Sequence, residues 1–125
     1  MYSTTVDNTP LIKVIGGKHE ANYSLDGSLM NPLEAFYASL AACAAVYAKK
    51  ACKSLGIKAG GIEISCKPFA GPGGPLTLAK FKTEVRFPEA FTPDQKSAIL
   101  ESITHCAVKD IVVAGAAIDF QAVEI

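Results

Sequence analysis

From Ala35 to Ala48 the chain reads Ala-Phe-Tyr-Ala-Ser-Leu-Ala-Ala-Cys-Ala-Ala-Val-Tyr-Ala, fourteen residues without a charge. The segment opens with helix-start signals: Asn31 as N-cap, Pro32 at the first helical position and Glu34 three residues past the cap. It continues to about Leu55, where Gly56 supplies a stop. A helix that is apolar on nearly all sides is expected to be buried all round rather than to lie amphipathically on a surface. Its alanines let another helix approach closely. A chain of 125 residues is one domain's worth and has few elements with which to surround such a helix. The expectation is that a partner subunit supplies part of the cover.

The rest of the chain is arranged around this helix as strands and shorter helices. Leu11 to Ile15 and Lys18 to Leu25 read as a hairpin turning at Gly16-Gly17, with His19, Ala21, Tyr23 and Leu25 on one face of the second strand. Asp26-Gly27 turns toward the helix. Ile62, Ile64 and Cys66 alternate with Glu63, Ser65 and Lys67. Ala79, Phe81, Thr83, Val85 and Phe87 alternate with four charged residues. Thr92-Pro-Asp-Gln95 is a capping box that opens a helix reaching the Cys106 region, and a short helix is expected over Lys109 to Ala114. Ile118 to Ile125 reads as a closing strand. The order predicts an α+β fold with a largely antiparallel sheet, in a single domain over residues 1–125.

Twelve basic and twelve acidic side chains balance, so no long-range field directs the protein toward nucleic acid or an anionic membrane. The uncharged stretch is shorter than the ~18 residues that suggest a membrane span. The N-terminus, Met1-Tyr-Ser-Thr-Thr-Val-Asp7, lacks the basic and apolar regions of a secretion signal. A cytoplasmic location is expected. There, four cysteines are poor candidates for a structural disulfide framework, and any that pair are better candidates for catalysis or redox sensing.

Cys66 lies on the apolar face of its strand, where core packing accounts for it. Cys52, nine residues after Cys43, falls on the opposite side of the same helix. His19, His105 and the cysteines lack the short Cys-x-x-Cys spacing of structural zinc, so no metal is expected. Paired carboxylates, a nucleophile elbow, a phosphate loop and a dinucleotide fingerprint are absent from the sequence, and no cofactor is implied. Cys43 and Cys106 remain. Taken alone, each reads equally as a small buried hydrophobe or as a reactive thiol, and reactivity needs a cation, a helix N-terminus or a hydrogen-bond donor. Cys106 precedes a possible helix N-terminus. Cys43 is expected to need a basic residue delivered by tertiary structure.

Asn-Pro-Leu-Glu-x₈-Cys43 on an apolar helix, followed by His105-Cys106-x-Val108, resembles the OsmC/Ohr family of cysteine-based hydroperoxide reductases. The resemblance runs from the Gly16-Gly17-Lys18 hairpin through Gly56-Ile57 to the final strand. It implies an intertwined α+β homodimer with an antiparallel sheet packed on a long central helix. For function it implies a peroxidatic thiol at Cys43, a resolving thiol at Cys106, and an arginine and a glutamate that activate the first.

The chain departs from the family pattern at three places. Lys18 stands where the family's arginine commonly follows a Gly-Gly turn, and the only arginine is Arg86 on a strand. Lysine keeps the charge but loses the planar fork that can hold a thiolate, a glutamate and a peroxide together. The glutamate that many members carry ten residues before the cysteine is Leu33 here, and Glu34, nine residues before, matches a subset while also reading as a capping residue. The family's Cys-Pro is Cys106-Ala107.

Two functions are therefore weighed. In the first, a homodimeric thiol peroxidase reduces organic hydroperoxides through Cys43 and Cys106 in oxidative stress defence and is reset by an external dithiol. Lys18 and Glu34 support it, and Phe36, Tyr37 and Tyr47 are candidates for lining an apolar pocket. In the second, the same dimer binds a small apolar ligand or senses oxidation through its thiols without rapid turnover.

Overall fold

A computed structural model of the chain describes residues 1–124. They fall into two compact units, the first comprising Met1–Ala38 and the second beginning at Ser39.

The first unit is built on a three-stranded antiparallel sheet, β1 (Tyr2–Ser3), β2 (Leu11–Gly16) and β3 (His19–Ser24), in that spatial order. The hairpin turns one residue later than the sequence suggests. Gly16 pairs with His19, which leaves Gly17 and Lys18 as the two turn residues. Gly17 has φ +60°, the value that the first central position of a tight hairpin turn demands and that side chains resist. Ile12 faces Tyr23 and Val14 faces Ala21, so the half-buried residues of both strands share one side. β1, which carries no strong strand signal, adds to the far edge of β2.

Ser24 is buried, and its hydroxyl is satisfied locally: it accepts from the amide of Leu29 at 2.8 Å and donates to the Leu29 carbonyl at 3.2 Å. The chain then enters α1 (Pro32–Leu55) through the expected cap. Glu34 N donates to Asn31 Oδ1 at 2.9 Å, and Asn31 N donates back to Glu34 Oε2 at 3.3 Å. Gly56, at φ +69°, ends the helix.

The second unit carries the rest of α1, an antiparallel hairpin of β4 (Glu63–Phe69) and β5 (Lys80–Arg86), α2 (Pro93–Thr104) and α3 (Ala107–Ala114). Leu40, Ala44, Ala48 and Cys52, spaced by four, form the buried stripe of α1. Ala48 and Cys52 join Phe91 and Ile99 in the core, flanked by Ile64, Phe87 and Ile103. Val46, off this stripe, keeps 47% of its surface exposed. One chain thus covers only part of the apolar helix. No helix among the described residues is long and apolar enough to cross a membrane.

Among the described residues, the strand expected over Ile118 to Ile125 is not formed. Residues 115–124 carry no strand, Ile118 and Phe120 stand exposed, and Ile125 lies outside the described residues. A strand exists only by pairing, and among the described residues no sheet edge takes that segment. α3 begins at Ala107, two residues before the expected Lys109.

Candidate active site

The junction between α2 and α3 shapes the site. The Thr92–Gln95 capping box fixes the start of α2, with Gln95 N donating to Thr92 Oγ1 at 3.2 Å and Thr92 N donating to Gln95 Oε1 at 2.9 Å. At its end the amides of His105 and Cys106 donate to the carbonyls of Ser102 and Ile103, both at 3.1 Å, which tightens the last turn. Cys106 then takes an extended backbone, φ −57° and ψ 124°, and its carbonyl accepts from the Asp110 amide at 3.0 Å to start α3. This geometry buries the Cys106 side chain to 3% exposure. It also turns the first amides of α3 toward cysteine sulfur.

Cys43, half-buried on α1 beside Leu40 and Ala44, meets that junction. Burial alone would raise its pKa. Against that, the Cys106 side chain hydrogen-bonds it, the amides of Val108 and Ala107 donate to it, and the Lys50 charge acts on it, and together these bring the thiol below its ordinary value. Cys106 moves the opposite way. Burial raises its pKa first, and its hydrogen bond to Cys43 and the Cys43 charge raise it further, while the amides of Lys109 and Val108 pull downward without prevailing. The two thiols are thereby pulled in opposite directions, Cys43 toward the thiolate and Cys106 toward the protonated form.

Sixty-three positions apart in sequence, the two candidate thiols are near enough for each to shift the pKa of the other. The other two cysteines are elsewhere. Cys52 is sealed in the core, its pKa raised by burial, and Cys66 lies across from Thr83 on the β4–β5 hairpin with Sγ 3.4 Å from Thr83 Oγ1. Glu34 is engaged in the cap of α1. Lys18 is exposed in the β2–β3 turn of the first unit.

A groove of about 460 Å³ in the second unit reaches Cys106 and the α1 residues Leu40 and Ala44 on either side of Cys43 in sequence, with Cys43 itself outside its lining. Cys106 lines it together with Leu40, Leu78, Phe81, Ile103 and Val112, and Lys80 and Lys109 contribute its charges. The expected aromatic lining differs. Tyr47 faces a separate hollow beside Lys50 and Ser102, and the Phe36 and Tyr37 rings lie against each other with centroids 5.7 Å apart in the first unit. Leu and Val side chains leaning off α1 and α3 provide the apolar wall instead. No group of three or more metal-ligating side chains occurs among the described residues.

The residue that the sequence reading misses is Lys50. The cation acting on Cys43 comes from the same helix rather than from a distant element, and the signal was its seven-residue spacing, which returns a side chain to the same face. The amides of Ala107 and Val108 were hidden because α3 starts at Ala107, ahead of the expected Lys109.

The α+β architecture has counterparts among solved structures. An OsmC-like protein from Mycoplasma pneumoniae superposes with a TM-score of 0.73 at 12% identity, covering 90% of this chain and 86% of that one. A protein from Psychrobacter arcticus described as an osmotic stress induced and detoxification response protein gives 0.72 at 13% identity, covering 87% and 85%. These likenesses establish the fold. A search of the curated proteins finds no match. The model of the OsmC-like protein family matches residues 25–121, a span that includes both thiols, and the chain belongs to that family.

Proposed function

We propose that this chain is a thiol-dependent peroxidase that reduces organic hydroperoxides through Cys43 and Cys106, acting in the cytoplasm in oxidative stress defence as a homodimer of single-domain chains. The observation that carries the reading is the opposite pull on two thiols distant in sequence, the Cys43 pKa lowered by Cys106 and the α3 amides and the Cys106 pKa raised by burial and by Cys43. The Cys43 thiolate attacks the terminal peroxide oxygen. The O–O bond breaks, the alkoxide takes a proton and leaves as the alcohol, and Cys43 is left as a sulfenic acid. Cys106, as thiolate, then attacks the Cys43 sulfur, the S–O bond breaks, and the hydroxide leaves as water with one further proton. An external dithiol reduces the resulting disulfide by exchange. The apolar groove beside Cys106 suits a hydrophobic peroxide.

The uncovered face of α1 around Val46 and the unpaired apolar residues Ile118 and Phe120 support the dimer, since a second copy is a natural source of cover for both. In this reading Glu34 fixes the start of α1, and Lys18 occupies the place of the family's arginine.

The test is steady-state reduction of cumene hydroperoxide with dithiothreitol, with peptide mapping after one equivalent of oxidant. Turnover that vanishes in Cys43→Ser, with a single Cys43–Cys106 disulfide in the wild type, is expected. Equal rates in wild type and Cys43→Ser would refute the peroxidase. The lysine in the arginine position favours one second reading, a dimer that binds an apolar ligand or senses oxidation. Its mark is oxidation of Cys43 without multiple turnovers.

A further inference from the structure

We propose that Lys50 is the positioning cation of the Cys43 site: its ammonium, carried back along α1 over the Tyr47 ring, holds the negative charge on the Cys43 sulfur. This rests on the reading of Cys43 as the attacking thiol. Seven residues at about 100° each bring Lys50 within roughly 20° of the Cys43 direction, two turns further along the helix. Helical side chains lean toward the N-terminus, so a lysine placed after the cysteine extends toward it.

The structure shows that lean directly. Lys50 Nζ lies 5.0 Å from the centroid of the Tyr47 ring, three residues back toward Cys43 on the same side of the helix. The aromatic face favours this rotamer of an exposed side chain over others, which biases the ammonium toward the Cys43 side of the helix. Lys49, one position earlier, is rotated about 120° away from the Cys43 direction. Arg86 is on β5, where its register partner is Glu63.

The groups that act on the Cys43 sulfur are the Cys106 thiol, the amides of Ala107 and Val108 from α3, and Lys50 from α1. Lys109, nearby on α3, is ion-paired with Asp110 at 2.6 Å. Lys80 and Lys109 charge the groove at Cys106, whereas the charged side chain that acts on the Cys43 sulfur is Lys50, with the α3 amides supplying partial charges.

The experiment is the pH dependence of Cys43 alkylation, followed by peptide mapping so that Cys43 and Cys106 are scored separately, in wild type, Lys50→Ala, Lys50→Arg and Lys49→Ala. Removing a solvent-screened charge at this range is expected to raise the Cys43 midpoint by roughly half a pH unit and to slow alkylation at pH 7 about threefold. Lys50→Arg should restore most of the shift, and Lys49→Ala should leave it unchanged. In the wild type, ~1 M salt should reproduce most of the Lys50→Ala shift, because the screening length falls to about 3 Å. An unchanged midpoint in Lys50→Ala, or an equal shift in Lys49→Ala, overturns the proposal. Because alkylation needs no peroxide, a protein that shows the Lys50 effect but no turnover would sink the peroxidase reading and leave the positioning role standing.

Discussion

Replacing Cys106 by alanine and by serine separates two parts that the one residue is assigned, donor to the Cys43 thiolate and partner in the disulfide. Both variants remove the disulfide. Only alanine removes the donor. A hydrogen bond to a charged group contributes ~1.5–3 kcal/mol with an ordinary donor. The S–H group is a weak donor, so about 1 kcal/mol is the appropriate figure here. At about 1.4 kcal/mol per pH unit, Cys106→Ala should raise the Cys43 midpoint by roughly 0.7 unit. The α3 amides and Lys50 remain in place and keep the shift from growing larger. Cys106→Ser keeps a hydroxyl at the same position, so its midpoint should stay at or below that of the wild type. The assay is thiolate absorbance near 240 nm against pH, checked by mapped alkylation. If alanine leaves the midpoint where it was, or serine raises it as far as alanine does, Cys106 is no donor and the division of the pair has another origin.

Glu34→Gln preserves the capping geometry, because glutamine also completes a capping box; equal thermal stability and equal peroxide turnover are expected, and lost turnover with unchanged stability would give Glu34 a part in the chemistry. Cys52, with its pKa raised by burial, keeps its proton in the folded state when the unfolded chain has lost it. The stability it contributes is therefore complete below ~8.5 and declines as pH rises past it, so the fall in thermal midpoint between about pH 8 and 10 should be shallower in Cys52→Ala. Ile99→Ala empties a fully buried position and should cost about 3 kcal/mol in urea unfolding, and a cost under ~1 kcal/mol would show that the α2 packing is looser than described.

What the sequence makes legible follows the range of the physics involved. The starts of α1 and α2 are written in residues three apart, Asn31 with Glu34 and Thr92 with Gln95, and the end of α1 in Gly56, and all three form as read. The alternation in β4 and β5 is likewise local and correct. The meeting of Cys43 with Cys106 is a tertiary event, and it could be anticipated only through the family resemblance. Lys50 was open to the same angular reasoning that separates Cys52 from Cys43. A Lys49-Lys50 pair near a helix end reads as solvated surface, and that masks it. The segment from Ile118 has strand composition, but pairing is set by a partner edge that composition does not encode.

The long separation between the two thiols along the chain bears on energy as well as on recognition. A bond between Cys43 and Cys106 would close a loop of sixty-four residues, and in the chain-entropy account such a closure disfavours the unfolded chain by about 4 kcal/mol. The oxidised protein would then be the more heat-resistant of the two forms. The same free energy resists reopening: at about 30 mV per 1.4 kcal/mol it lowers the reduction potential by roughly 90 mV relative to the same disulfide in an unfolded chain. A weak thiol buffer is poorly matched to such a bond, and a strongly reducing dithiol is the better match.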